Sequence, residues 1–145
     1  MASHTILAVD DVPDNLTLIE EIFDDDSYIV FTAGDAETAI ELARNERPDV
    51  VLLDVQMPKT DGYELCRLLR KEFDSPAIPI LFLTAERTTT KNTIRGLNIG
   101  ACDYITKPCD PQILRARVRA VLRTQAEQSR QVEKVQRVTR RMLQD

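Results

Sequence analysis

The sequence is poor in the residues on which several common kinds of site depend. It holds one histidine, His4, and three cysteines, none of which forms a CxxC pair. A metal site built from imidazole and thiolate ligands is therefore a weak alternative, and we expect reduced cysteines that serve as small apolar residues. The chain also has only four glycines and no glycine-rich, phosphate-cradling loop, so ATP binding is not supported.

Long apolar runs and targeting segments are missing as well. No apolar run approaches the roughly 20 residues that a membrane-spanning helix needs. The opening stretch, MASHTILAVDD, lacks the basic and apolar regions of a signal peptide. We therefore expect a cytoplasmic protein that does not enter a membrane. The length of 145 residues, with 43% hydrophobic and 30% charged residues, is typical of one soluble globular domain.

Charge is distributed unevenly along the chain. Residues 115–145 hold nine Arg or Lys and three acidic residues, which gives +6, and since the whole chain carries −5, residues 1–114 carry −11. An acidic body thus carries a basic tail. The tail sequence has no helix-turn-helix and no aromatic platform, so solvated helix faces explain its charge more simply than nucleic-acid binding does.

Apolar runs alternate with segments of helical spacing along the whole body. The strand-like runs lie at 5–10, 28–33, 49–54, 78–84 and 101–107. Helical segments follow at 15–23, after the capping residues Asp35 and Asp61, at 87–99, and from Asp110 to 143. Five strands alternating with five helices predict a parallel sheet covered on both faces, and right-handed crossovers make it doubly wound.

One strand-like run contains a carboxylate. In VVLLDVQMPKTDG, residues 50–62, Asp54 is surrounded by apolar residues, and burying a carboxylate is unfavourable unless it is paired. Ligands of open α/β sheets bind at the carboxyl edge, where the strand order reverses. If the order is 2-1-3-4-5, this point lies between the first and third strands, so we expect Asp10, Asp11 and Asp54 to converge there.

Three carboxylates stay close together and ionised only beside a cation. Oxygen ligands without nearby histidine or thiolate favour a hard ion such as Mg²⁺. Thr84 and Lys107 end the fourth and fifth strands at the same edge and add a hydroxyl and an ammonium group. Such a set can hold the oxygens of a transferring phosphoryl group, and a carboxylate can act as the nucleophile and form an acyl phosphate.

This constellation resembles the receiver domain of bacterial two-component response regulators. The motifs, in order and with their spacing intact over residues 4–124, are Asp10-Asp11, LLDVQMPKTDG, LTA at 83–85 and YITKP at 104–108. The resemblance implies the flavodoxin-like (βα)5 sheet with strand order 2-1-3-4-5. It also implies a phosphorylation-controlled switch in a phosphorelay, and therefore a signalling component rather than an enzyme.

The resemblance implies a role for each residue around the acidic edge. Asp54 corresponds to the phosphoacceptor. Asp10 and Asp11 correspond to the acidic pair of the Mg²⁺ site, to which Asp54 and the backbone carbonyl of Gln56 also belong. Gln56 and Glu86 fall at the variable positions two residues after the acceptor and two after the threonine, where they are expected to tune the lifetime of the phosphoryl group.

The remaining motif residues correspond to the switch. Lys107 is implied to bind the phosphoryl group, Thr84 to turn its hydroxyl toward that group, and Tyr104 to follow inward. Pro108 corresponds to a proline that often follows a cis peptide bond in the family. Because His4 lies in no amphipathic helix, the phosphoryl donor must be a sensor histidine kinase, a phosphotransfer protein or a small acyl phosphate.

The basic tail divides the chain into an expected receiver domain, 1–124, and a helical extension, 125–145. A heptad runs through Val118, Val121, Gln125, Gln128, Val132, Val135, Thr139 and Met142. The middle of this heptad is polar, which leaves two interpretations: a two-stranded coiled coil that forms a homodimer, or a solvated linker helix. Such a helix often leads into an output domain, so we expect the chain to be a fragment of a longer regulator.

Two other functions are compatible with the sequence. A phosphatase with an aspartyl-phosphate intermediate shares the carboxylate, lysine and threonine. Such enzymes usually carry the nucleophile in a DxD motif on the first strand beneath a cap, whereas here the first strand ends in DDVPD and no cap segment follows. The second alternative is a scaffold that acts through its basic helix and retains a vestigial site.

Overall fold

The computed structural model describes residues 3–57, 59, 61–72, 78–84, 103–106 and 110–144. The strands in these ranges are β1 (His4–Val9), β2 (Tyr28–Ala33), β3 (Val50–Asp54), β4 (Ile80–Thr84) and β5 (Asp103–Thr106). The helices are α1 (Pro13–Ile22), α2 (Ala36–Glu46), α3 (Gly62–Glu72) and α4 (Pro111–Gln144). The helix predicted at 87–99 lies outside the described residues.

The five strands form one parallel sheet in the order β2-β1-β3-β4-β5, as predicted. β1 is therefore paired with β2 on one side and β3 on the other, although β3 begins 46 positions after β1 in the chain. All residues of β3 and β4 are buried. This burial explains their continuous apolar sequences, because a central parallel strand has both of its faces covered.

Side chains alternate between two cores, one on each face of the sheet. One core joins Leu7, Val51, Leu53 and Phe82 to residues of α2 and α3, namely Ala39, Ala43, Leu65 and Leu69. The other joins Ile6, Leu52 and Leu81 to residues from the α1 and α4 side, namely Ile19, Phe23, Leu114, Val118 and Leu122. The sheet is thus enclosed by α2 and α3 on one face and by α1 and the first part of α4 on the other.

Aspartates begin three of the described helices, at the predicted positions. Asp35 accepts a hydrogen bond from the Thr38 amide at 2.8 Å, and Asp110 accepts one from the Gln112 amide at 2.7 Å. Asp61 accepts one from the second residue of α3. Each carboxylate satisfies an amide that the first helical turn leaves without a partner. The hydrogen bond from the Thr38 amide, and then one from the Thr38 side chain, hold the pKa of Asp35 below its ordinary value.

The C-terminal helix packs on the body through its first turns and then leaves it. Leu114 and Val118 are fully buried and Leu122 nearly so, while Val121 packs beside them. The first two positions of the predicted heptad, Val118 and Val121, therefore belong to the domain core, and a seam for another helix can begin only after Leu122. At 1.5 Å per residue, the segment 123–144 extends about 33 Å further. Among the described residues, no helix is both long and apolar enough to span a bilayer.

Arg115 ties the base of this helix to the turn after α1. Its guanidinium donates to the Ile22 carbonyl at 2.7 Å and forms an ion pair with Asp25 at 2.8 Å. It also lies over the rings of Phe23 and Tyr28, 5.8 and 5.6 Å from their centroids. The Ser27 amide, and then Arg115, hold the pKa of Asp25 below its ordinary value. These contacts hold the first turns of α4 against the turn that follows α1.

Candidate functional site

The strand order brings three carboxylates together at the carboxyl edge of the sheet. Asp10 directly follows β1, and its amide donates to the Ala33 carbonyl at 3.1 Å, which extends the β1–β2 ladder by one residue. Asp54 is the last residue of the neighbouring strand β3. One side-chain oxygen each from Asp10, Asp11 and Asp54 lies within 4.8 Å of the other two.

Burial and hydrogen bonding differ among these carboxylates. Asp10 is fully buried and Asp54 is 5% exposed, whereas Asp11 is more exposed to solvent. The Val12 amide and the Asn15 side-chain amide donate to the two oxygens of Asp10, each at 3.0 Å. The Gln56 amide donates to Asp54 Oδ1 at 3.0 Å. These bonds orient the buried carboxylates and offset part of the cost of removing them from water.

The loop after Asp54 is held close to the strand by a glycine. Gln56 and Asp61 form an antiparallel bridge that closes the loop, and the amide of Gly62, the first residue of α3, faces the Val55 carbonyl at 3.4 Å. A Cβ atom at Gly62 would lie 2.5 Å from Val55 Cα and 2.6 Å from the Asp54 carbonyl oxygen. Only glycine permits this approach, so α3 begins directly against the backbone that carries Asp54.

The two described switch candidates lie on β4 and β5. Thr84 ends β4 beside the acidic edge and is only 4% exposed. Tyr104 lies opposite Phe82 in the β4–β5 register and is partly buried. Its ring makes an edge contact with Phe82 at 5.1 Å, Tyr63 makes another at 5.1 Å, and the two tyrosine hydroxyls are 3.5 Å apart. Lys107, Pro108 and Glu86 lie outside the described residues.

Sequence reasoning missed two residues that contact the predicted set, Asn15 and Tyr63. The interval of five residues between Asp10 and Asn15 is a weak signal, because it places the amide near the acid only if α1 begins at Pro13. Tyr63 carries no such signal, since it meets Tyr104 across 41 residues of sequence. Both contacts depend on how a helix is placed against the end of a strand.

The chemistry of the acidic cluster fits a hard divalent cation. Three carboxylates whose oxygens approach within 4.8 Å repel each other, and the two buried ones are poorly screened by solvent. All three offer oxygen ligands, which Mg²⁺ prefers. The donor set of Asp10, Asp11 and Asp54 is therefore suitable for Mg²⁺.

The fold and this edge define a class, a doubly wound α/β domain with a carboxylate cluster where the strand order reverses. Residues 6–119 match the response regulator receiver domain family. The chain belongs to this family. It is therefore a component of phosphorylation-dependent signalling, in which receiver domains interact with histidine kinases or phosphotransfer proteins.

Curated relatives are longer than this chain. It is 43% identical over 118 residues to the alkaline phosphatase synthesis transcriptional regulatory protein PhoP of Bacillus subtilis, covering 81% of this chain and 48% of PhoP. It is 41% identical over 121 residues to the response regulator PleD of Caulobacter vibrioides, covering 83% of this chain and 26% of PleD. The chain thus spans about half of PhoP and a quarter of PleD.

Solved structures share the whole receiver fold. The chemotaxis protein CheY4 of Vibrio cholerae superposes with a TM-score of 0.78 at 32% identity, covering 83% of this chain and 99% of CheY4. The BeF3-activated N-terminal receiver domain of Klebsiella pneumoniae RstA gives 0.74 at 38% identity, covering 83% of this chain and 99% of that domain. The predicted fold class is confirmed by the sheet order and by these structures.

Proposed function

We propose that the chain accepts a phosphoryl group on Asp54 from a partner histidine kinase or phosphotransfer protein, and that the resulting acyl phosphate switches its conformation. One observation carries the proposal. A carboxylate at the end of a fully buried strand lies within 4.8 Å of two further carboxylates, in a domain of the receiver family. So close a set of acids is unfavourable unless positive charge enters among them.

The proposed reaction transfers a phosphoryl group from a phosphohistidine to the carboxylate of Asp54. An oxygen of Asp54 attacks the phosphorus of a phosphohistidine, the P–N bond breaks, its electron pair returns to the imidazole, and an acyl phosphate remains on Asp54. The Gln56 amide, 3.0 Å from Oδ1, limits rotation of the carboxylate and so holds it in one orientation for attack. In this proposal the buried Thr84 hydroxyl and the Lys107 ammonium bind the phosphoryl oxygens.

Asp10, Asp11, Asp54 and the backbone carbonyl of Gln56 are the residues that would hold Mg²⁺. When bound, the ion supplies positive charge against the phosphoryl oxygens and between the acids. The protein contributes two buried carboxylates whose orientations are already restricted by hydrogen bonds from Val12, Asn15 and Gln56. Pre-orientation of this kind lowers the entropy lost when a cation and a phosphoryl group bind.

The switch and tuning residues complete the proposal. Thr84 turns toward the phosphoryl group and Tyr104 follows, moving against Phe82 and Tyr63, with which it forms a row of edge-packed rings. A ring that is only partly buried has room to change its rotamer, which supports this role for Tyr104. Gln56 and Glu86 tune the lifetime of the acyl phosphate, and a cis bond before Pro108 remains a prediction.

Phosphorylation of Asp54 can be tested without a partner. The purified chain is incubated with acetyl phosphate and Mg²⁺, and intact and peptide masses are measured at intervals. We expect one phosphoryl group on the peptide containing Asp54 and none in Asp54→Asn, a variant that keeps the size of the side chain. Chelation of Mg²⁺ should abolish the adduct. A wild-type chain that stays unmodified under all conditions would overturn the proposal.

We further propose that residues 125–145 form a separate extension that pairs with a second copy and transmits the switch. Its described apolar side chains are exposed, namely Val135, Val138, Met142 and Leu143, at 50 to 81%. Val135 and Met142 occupy equivalent positions of the predicted heptad, seven residues apart, as in a two-helix seam. Light scattering should show a dimer that becomes monomeric in Val135→Lys. A wild-type monomer at high micromolar concentration would favour the solvated linker instead.

A further inference from the structure

We infer that Asn15 is a positioning residue for the cation site, where its side-chain amide sets the orientation of the Asp10 carboxylate. Asn15 lies in the first turn of α1 and is partly buried. Its Nδ2 atom is 3.0 Å from Asp10 Oδ2. The inference rests on the proposed Mg²⁺-dependent function and adds a residue that does not itself bind the cation.

The geometry restrains Asp10 at both of its oxygens. Val12, two residues on, donates its backbone amide to Oδ1, and Asn15, five residues on, donates its side chain to Oδ2. A carboxylate held at both ends cannot rotate about its Cβ–Cγ bond without losing a hydrogen bond. Because the Val12 donor belongs to the backbone, Asn15 is the member of this pair that a substitution can remove.

The chemistry of the amide suits this position. Each carboxylate oxygen can accept two hydrogen bonds or ligand contacts, so the bond from Asn15 does not by itself prevent Oδ2 from contacting a cation. An amide also donates without adding charge. A lysine here would compete with a divalent cation for Asp10, whereas an aspartate would add a fourth negative charge. Asparagine is thus the neutral donor that orients Asp10 and leaves the cluster charge unchanged.

Loss of this donor should weaken cation binding. Hydrogen-bond partners of metal ligands typically contribute 10- to 100-fold to metal affinity. Since the Val12 amide still restrains one oxygen of Asp10, we expect the lower end of this range, about a tenfold rise in the Mg²⁺ dissociation constant. The rate of phosphorylation by acetyl phosphate should fall at limiting Mg²⁺ and return to within about twofold of wild type when Mg²⁺ saturates the site.

The test compares wild type with Asn15→Leu, which keeps the side-chain size but removes the donor, and with Asn15→Ala, which favours helix formation. Thr17→Ala is the matched control, because the Thr17 hydroxyl donates to the Pro13 carbonyl in the same helix. Titration calorimetry gives the Mg²⁺ dissociation constant of each variant, and urea unfolding without Mg²⁺ shows that each is folded.

The outcomes separate this inference from the proposed function. Both Asn15 variants should bind Mg²⁺ about tenfold more weakly than wild type, while Thr17→Ala should match wild type. If the Asn15 variants fold and bind Mg²⁺ as tightly as Thr17→Ala, the positioning role is refuted and the proposed function stands. If wild type itself binds no Mg²⁺, both the positioning role and the proposed function are refuted. If Asn15→Ala is weakened but Asn15→Leu is not, side-chain volume rather than the amide acts, and the inference is refuted.

Discussion

Replacing Gly62 by alanine tests how α3 is seated against the phosphoacceptor strand. The added Cβ atom would lie 2.5 Å from Val55 Cα and 2.6 Å from the Asp54 carbonyl oxygen, where ordinary contacts begin near 3.4 Å. Both obstacles are backbone atoms, so no side-chain rotation can relieve them. Either the start of α3 or the end of β3 must move by about 0.9 Å, the difference between 3.4 and 2.5 Å.

The expected cost follows from overpacking. Inserting a methyl group into a closely packed region costs about 1–3 kcal/mol. Alanine has a better helix propensity than glycine by up to about 1 kcal/mol, which offsets part of this cost, although less at the first residue of a helix than in its interior. We therefore expect Gly62→Ala to lower the free energy of unfolding by about 1–2 kcal/mol. Displacement of the Asp54 backbone should also weaken Mg²⁺ binding.

Urea unfolding followed by circular dichroism measures the first effect, and calorimetry with Mg²⁺ measures the second. Gly34→Ala is the matched control, because a Cβ atom at Gly34 would have the Asp10 carbonyl oxygen, at 3.9 Å, as its nearest described neighbour. That variant should unfold within about 0.5 kcal/mol of wild type, as surface substitutions usually do. Equal unfolding midpoints and Mg²⁺ affinities for both variants would refute the close approach of α3 to β3.

The further predictions concern charge. In EDTA, Asp11→Asn should raise the urea midpoint because it relieves repulsion among the three carboxylates. A Mg²⁺ concentration ten times the dissociation constant should stabilise wild type by about 1.4 kcal/mol. Equal wild-type midpoints with and without Mg²⁺ would contradict the second prediction. Because the folded pKa of Asp35 is lowered, its stabilisation is complete above the unfolded pKa of about 3.9 and is lost as the pH falls through the folded value. The stability advantage of wild type over Asp35→Asn should therefore shrink as the pH falls below about 5, and a constant difference would argue against it. Arg115→Met should cost about 1–2 kcal/mol by removing the bond to the Ile22 carbonyl and the ion pair with Asp25, measured by thermal unfolding. An unchanged midpoint would mean that these contacts contribute nothing.

Local sequence determined most of the element order. Apolar runs and capping aspartates such as Asp35 and Asp110 mark where strands and helices begin, because their physical basis lies within a few residues of chain. The bounds differ by one or two residues. The strand predicted at 78–84, for example, spans Ile80–Thr84, since ladder hydrogen bonds to β3 decide which residues pair. The unusual placement of Asp54 in an apolar run was also readable from sequence alone.

The tertiary structure decided which of these residues meet. Asp10 and Asp54 are 44 positions apart, and they lie together because β1 and β3 are neighbours in the sheet. The donor to Asp10 from Asn15, the close approach at Gly62 and the anchoring contacts of Arg115 were not predicted. Sequence periodicity reports which face of an element is buried, whereas these contacts depend on distances between atoms of different elements, which only the packing of helices against strand ends determines.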